Sequence, residues 1–250
     1  LYVIVVGIMK PSFLQLDNWM NLLRSVSVYG IISCGITFVM LTGRTDLSAG
    51  MMLTFLATIS CYFVTPGIEN QLLAIVVPIL LGAVGGLVNG ILVGVIRLNS
   101  FVSTLGMMSL YTGFVLLFIK QSPSLFGSQD MTVYRFLGQG SILGIPTPVI
   151  ILAIVAIVSS IVLRRTVYGA RIYAVGSNAS AARYSGISPA AIIVSVYTVS
   201  GLLTGLGAVV MCSRILSAQP KMGSGYEFTA LTAIVLACPS RAAKVASWGR

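Results

Sequence analysis

The chain has 250 residues, of which 57% are hydrophobic and 8% charged, and it carries a net charge of +10. Soluble domains hold about 25% charged residues, so a water-soluble fold is excluded and the solvent for most side chains is lipid. Histidine is absent, the five acids are scattered singly, and no Gly-x-x-x-x-Gly-Lys loop occurs, which leaves no basis for catalysis or for ATP hydrolysis within this chain.

The apolar opening Leu1–Met9 ends at Lys10-Pro11 and is shorter than the about 20 residues a span needs. Apolar runs then cover Val26–Thr42 and Leu47–Val64, separated by the polar hinge Gly43-Arg44-Thr45-Asp46. Asp46 directly precedes Leu47 and reads as a helix N-cap in preference to a substrate ligand; Arg44 is its nearest cation in sequence. Gln71–Ile96 is long enough to cross with tilt. It carries Gly82, Gly86, Gly90 and Gly94 at four-residue spacing, one bare ridge that predicts close helix packing. A sliding surface for opening a pathway is the functional alternative. Phe101–Ile119, Thr147–Leu163 and Ala191–Ser213 are further spans. Pro146 and Pro148 mark a helix start, and Gly201 with Gly205 repeats the small-residue packing device. Cys34, Cys61, Cys212 and Cys238 lack metal or redox spacing; three lie in apolar runs, where cysteine behaves as a small hydrophobe. The fold class is an all-α polytopic membrane protein with about 6–8 spans, helical because lipid-exposed backbone must satisfy itself.

Residues 164–189 form a polar loop between two spans, with four of the 15 basic residues and no acid. Such a loop belongs on the cytoplasmic side. It reads either as an orientation-fixing connector or, through its many small residues, as a platform for a cytoplasmic partner. By alternation, 43–46 and 97–99 also fall inside, and 10–25, 65–70, 120–146 and 214–228 fall outside. Six basic residues land on each side, so the cluster of four decides the orientation. The positive charge suits anionic lipid headgroups. Aromatic residues are not interleaved with it, which argues against nucleic acid.

With these segments placed, the chain resembles the membrane permease subunit of ribose/xylose/galactose-type ABC importers. Thr42-Gly43-Arg44-Thr45-Asp46-Leu47-Ser48-Ala49-Gly50 resembles that family's G-G-I-D-L-S-V-G hinge. Phe101 to Met108 resembles F-I-A-T-L-G-T-M, and Gly144 to Pro148 resembles G-I-P-x-P. Gly169 to Gly186 resembles G-R-x-I-Y-A-x-G-x-N-x-x-A-A-x-x-S-G-I. Arg214 to Glu227 resembles R-L-x-S-A-Q-P followed by G-x-G-Y-E. Together these motifs run from about residue 13 to 236.

The resemblance implies a subunit that moves a sugar across the bacterial inner membrane by alternating access. It implies no cofactor in this chain, ATP being bound by a partner subunit. The implied partners are an ABC ATP-binding subunit, a periplasmic sugar-binding protein facing the loop 120–146, a second permease copy and membrane lipid. Segment 176–188 resembles the coupling helix, so Gly176, Asn178, Ala181, Ala182, Arg183 and Gly186 are expected against the ATPase. Asp46, Ser48, Gln219, Tyr226 and Glu227 are the candidate pathway or hinge residues.

Two departures stand out. Arg44-Thr45 replaces the family's Gly-Ile. After Leu236 the family continues with two more spans of a ten-helix permease, whereas here a basic stretch, 237–250, follows. The expectation is an incomplete permease domain at 1–236 with a divergent, frameshifted tail, and a non-functional remnant is one alternative. A secondary transporter is another; against it stands the lack of a buried acid or histidine to carry a proton. A membrane enzyme finds no catalytic constellation.

Overall fold

The computed structural model describes residues 15–65, 70–118 and 131–237. The apolar opening 1–9, the stretches 66–69 and 119–130, and the tail 238–250 with Cys238 lie outside these described residues.

Helices dominate. Helix α1 spans Leu16–Leu41, α2 Ala49–Val64, α3 Gln71–Gly90 and α4 Ser100–Phe118. A short helix α5, Thr132–Gln139, leads into a hairpin of β1, Ser141–Ile142, and β2, Ile145–Pro146. Helix α6 covers Thr147–Arg165, α7 Val167–Ser177, α8 Ala179–Tyr184, α9 Pro189–Ile215 and α10 Tyr226–Ala237. Five of these segments are long and apolar enough to cross a membrane, and α2 and α10 are shorter apolar helices. Large apolar side chains such as Leu80, Leu116 and Ile154 are exposed on the outside of the bundle, as a lipid-facing surface requires.

The first span begins ten residues earlier than its apolar run suggests. Leu16–Ser25, read as part of an outer loop, is helical, because polar residues at a span's end reach water without breaking the helix. Local chemistry fixes other starts. Asn70 accepts from the Leu73 amide at 3.1 Å, Asn178 from the Ala181 amide at 3.0 Å, and Ser188 from the Ala191 amide at 3.4 Å. Pro189 then occupies the first turn of α9, where no amide donor is needed. The segment 164–189 is therefore largely two short helices, α7 and α8, and the segment 131–146 is a helix plus a hairpin.

Helix α9 is the central column; α1, α2, α3 and α5 all pack on it. The glycine stripe of α3 lies along it. A Cβ on Gly82 would sit 2.4 Å from the Gly201 carbonyl oxygen, and one on Gly86 2.1 Å from the Tyr197 carbonyl oxygen. On Gly90 it would meet the Val194 Cα at 2.7 Å, and on Gly94 the Ala190 oxygen at 3.0 Å. Gly205 answers with the Pro78 oxygen at 2.6 Å. Backbones touch over the whole crossing, where dispersion rather than the hydrophobic effect holds helices together in lipid. The last turn of α3 widens into a π-helix, Ile91–Val95, a feature with no signature in the apolar run.

Helix α5 plugs the end of the bundle remote from α8. Tyr134 is fully buried; its hydroxyl pairs with the Ser60 hydroxyl at 2.7 Å, its amide donates to Gln71 Oε1 at 3.1 Å, and Ser213 donates to its carbonyl. At the rim, Arg24 donates to the Gln139 carbonyl at 3.1 Å, and Gln139 to that of Arg214 at 3.0 Å. Cys61 and Cys212 lie side by side under this plug without a disulfide between them.

Candidate functional site: buried carboxylates and an inward-turning segment

Two carboxylates lie inside the apolar bundle: Asp46 and Glu227 are each 1% exposed. Their burial overturns the expectation that no acid is placed to carry a proton. Their positions in polar connecting stretches hid it, since the hinge and the last loop both fold inward.

Asp46 is not the helix cap. The N-cap of α2 is Ser48, which makes no side-chain cap bond. Asp46 instead accepts from the Ser48 amide at 3.0 Å and the Ser48 hydroxyl at 2.7 Å, and Ser200 of α9 donates to its other oxygen at 3.4 Å. Asn89 of α3 donates to the Ser48 hydroxyl at 2.8 Å, and the Tyr197 hydroxyl to the Thr45 carbonyl at 2.7 Å. One polar knot thus ties the hinge to α3 and α9. Arg44 is not among the partners of Asp46. Burial pushes the Asp46 carboxyl above its ordinary value, and its hydrogen bonds from Ser48 and Ser200 pull it back only in part.

Residues 216–225 were read as part of an outer loop. The structure corrects this: the segment turns inward. Leu216 ends α9 in a left-handed conformation with φ 54°. Ala218 then meets Cys61, the Gly223 amide donates to Thr54 Oγ1 at 3.0 Å, and Glu227 reaches Gly50. Cys61 and Gly50 are eleven positions apart on the same helix and its first turn, a descent of about 16 Å. Irregular backbone at membrane depth is tolerated where it is buried in protein or lines a cavity. Glu227 Oε1 accepts from the Gly225 amide at 3.3 Å, and buried Oε2 has no partner. Gly50 makes room for it: a Cβ there would lie 1.9 Å from Oε2 and 2.5 Å from the Gly223 carbonyl oxygen. Tyr226 stacks on Tyr29 of α1 with ring centroids 4.0 Å apart.

The residues singled out from sequence therefore fall into distinct places. Asp46 and Ser48 share one knot, Tyr226 and Glu227 start α10, and Gln219 is exposed on the inward-turning segment. Around α8, Asn178, Ala181, Arg183 and Gly186 are exposed, while Ala182 is buried against the core. Gly176 is taken up by the chain's own packing, since a Cβ there would lie 1.9 Å from the Leu41 carbonyl oxygen. Asn89, Ser200 and Thr54 escaped the sequence reading. Their signal was available: each is a polar side chain inside an apolar run, which in lipid implies a partner or a path.

A family model described as branched-chain amino acid transport system / permease component matches residues 18–246. The ribose import permease protein RbsC of Bacillus subtilis is 37% identical over 234 residues, covering 94% of this chain and 72% of that protein. RbsC of Escherichia coli K12 is 38% identical over 234 residues, with 93% and 72% covered. The D-allose transport system permease protein AlsC of Escherichia coli K12 is 32% identical over 235 residues, with 94% and 71% covered. No solved structure gives a significant match. A match over nearly the whole chain, on a bundle of apolar helices enclosing a polar interior, places the chain in this family: it is a multi-pass permease subunit of a bacterial inner membrane, a transporter component and not an enzyme.

Proposed function

We propose that the chain is the membrane subunit of an ATP-driven sugar importer that works by alternating access. A separate cytoplasmic subunit binds and hydrolyses ATP, an extracytoplasmic sugar-binding protein delivers the substrate, and a second permease copy completes the pathway. The names of the relatives supply the substrate class. The observation that carries the reading is Glu227: a buried carboxylate oxygen without a partner, brought to mid-bundle on an inward-turning segment. Neither a scaffold nor an anchor has use for such a group, which is expensive in lipid. A sugar hydroxyl is the donor it lacks. The exposed face of α8, with Ala181, Arg183 and Tyr184 (92% exposed), is the docking surface for the ATPase. Gly176 and Ala182 hold α7 and α8 on the bundle so that this face points outward.

The test is uptake of labelled ribose, allose, arabinose and galactose into proteoliposomes holding the permease, its ATPase and its binding protein. Uptake that requires ATP and falls on Glu227→Gln supports the reading. The two buried carboxylates also favour a second reading, proton-coupled transport. Uptake without ATPase, abolished by a protonophore, would establish that one and overturn the first.

A further inference from the structure

Beneath α5, Cys61 of α2 and Cys212 of α9 meet with their thiols in hydrogen-bonding contact, and both are 0% exposed. The packing of two helices sets this meeting. Along their shared seam, α2 with its lead-in and α9 run in one direction, and three contacts follow in order: Asp46 with Ser200, Leu53 with Gly207, then Cys61 with Cys212. The sequence offset is nearly constant, so the two sulfurs face each other across one interface. Each cysteine also has a neighbour bonded to Tyr134: Ser60 with the Tyr134 hydroxyl at 2.7 Å, and Ser213 with its carbonyl. Tyr134 thus pins both helices beside the pair. Ala218 of the inward-turning segment adds a backbone bond to Cys61. One cysteine in a core is a small hydrophobe; two in contact from different helices are a dithiol.

We propose that Cys61 and Cys212 are a redox modification site, closing reversibly to a disulfide that ties α2 to α9. The step balances by exchange with a disulfide oxidant. One thiol gives up its proton, and its thiolate attacks an oxidant sulfur; the oxidant's S–S bond breaks and one half leaves as a thiolate. The second cysteine, deprotonated in turn, attacks the mixed disulfide and expels the other half. The pair loses two electrons and two protons; the oxidant takes up both and becomes two thiols. The sulfurs are already in contact and have only to close to about 2.05 Å. Access is the limit. Thiolates are disfavoured in apolar surroundings, so the reaction waits until Tyr134 or the segment 216–225 lifts away. The bond places a covalent tie at the opposite end of the seam from the Asp46 knot. The proposal rests on this packing and not on what the chain transports.

Treatment of the purified full chain with dithiodipyridine, a small disulfide oxidant, tests it. Remaining thiols are blocked with N-ethylmaleimide and the chain is digested. Mass spectrometry should then find Cys61 and Cys212 in one linked peptide pair, lost on reduction with dithiothreitol. The oxidised chain should melt about 5 °C or more above the reduced one. Cys61→Ala and Cys212→Ala should each give neither the linked pair nor the shift. Tyr134→Phe loses the Ser60 bond of the cover and should form the disulfide about fivefold faster, the weight of one hydrogen bond. Pyridylthio adducts on both cysteines without linkage show sulfurs held apart and overturn the proposal. So does a pair that stays unmodified until denaturant is added, or a linkage through Cys34 or Cys238 instead. An unchanged rate in Tyr134→Phe overturns the role of α5 as the cover.

Discussion

At Asp46 the carboxyl group is surrounded by donors yet stripped of water. Its raised pKa makes folding pH-dependent in a definite sense. The folded state holds the proton more tightly than the unfolded chain, so the stabilisation is complete below the ordinary value of 3.8 and is lost as pH rises through the raised value. Asp46→Asn keeps the Ser48 bonds and turns Ser200 from donor to acceptor. We predict that the variant melts at a higher temperature than wild type at neutral pH and that its stability falls less steeply with rising pH than that of wild type. A wild-type curve that rises with pH over the acid range would contradict this. Asp46→Ala leaves the Ser48 amide and the Ser48 and Ser200 hydroxyls without their acceptor, at a cost of about 1–3 kcal/mol, and should melt well below wild type. At Glu227, glutamine preserves shape and the Gly225 bond but removes the charge. Losing a hydrogen bond to a charged group costs about 1.5–3 kcal/mol. The predicted result is an uptake KM raised tenfold or more with a normal yield of folded protein; an unchanged KM removes Glu227 from the pathway.

Among the elements, the α3–α9 crossing is the one that tolerates least. Gly86→Leu must place its side chain where the Tyr197 carbonyl already lies. Ordinary overpacking costs about 1–3 kcal/mol, and here backbone, not a mobile side chain, has to give way. We predict loss of monodisperse protein in detergent for Gly86→Leu, whereas Gly106→Leu, facing open space on α4, keeps it. If both variants purify alike, the crossing is looser than its geometry indicates. Four-residue spacing made the stripe on α3 readable, because a helix brings such positions onto one face. Which helix it faces was not readable, since every span offers apolar surface. The π-turn was hidden for a related reason: Ile91 to Val95 are ordinary apolar residues, and only packing on α9 sets their hydrogen-bond register.

Across the whole molecule, alternation of the spans gathers Arg44, Arg97 and Arg183 at one end, and Arg24, Gln139 and Arg214 at the other. Tyr184 projects from the first end and Leu143, 98% exposed at the hairpin tip, from the second. In a single-cysteine background, we predict that Leu143→Cys reacts with a membrane-impermeant thiol reagent in spheroplasts. Tyr184→Cys should react only after the membrane is opened. Reversed labelling would invert the orientation drawn from the basic cluster at 164–189 and move the proposed ATPase face to the outside.

Composition and run length alone determined the solvent, the helical class and nearly every span, because in lipid a segment must be apolar for about 20 residues and satisfy its own backbone. Ordered motifs pointed to the permease family on the same evidence. Caps, too, were local: Asn70, Asn178 and Ser188 act on amides three residues away. Tertiary structure decided where the polar groups went. Asp46 looked like a cap until α3 and α9 supplied Asn89 and Ser200 from far along the chain. Residues 216–225 looked like a surface loop because a polar, glycine-rich stretch reads the same whether water or protein satisfies it. Only the groove beside Gly50 and Thr54 shows that this stretch runs inward, carrying Glu227 to a depth that no spacing in the sequence encodes.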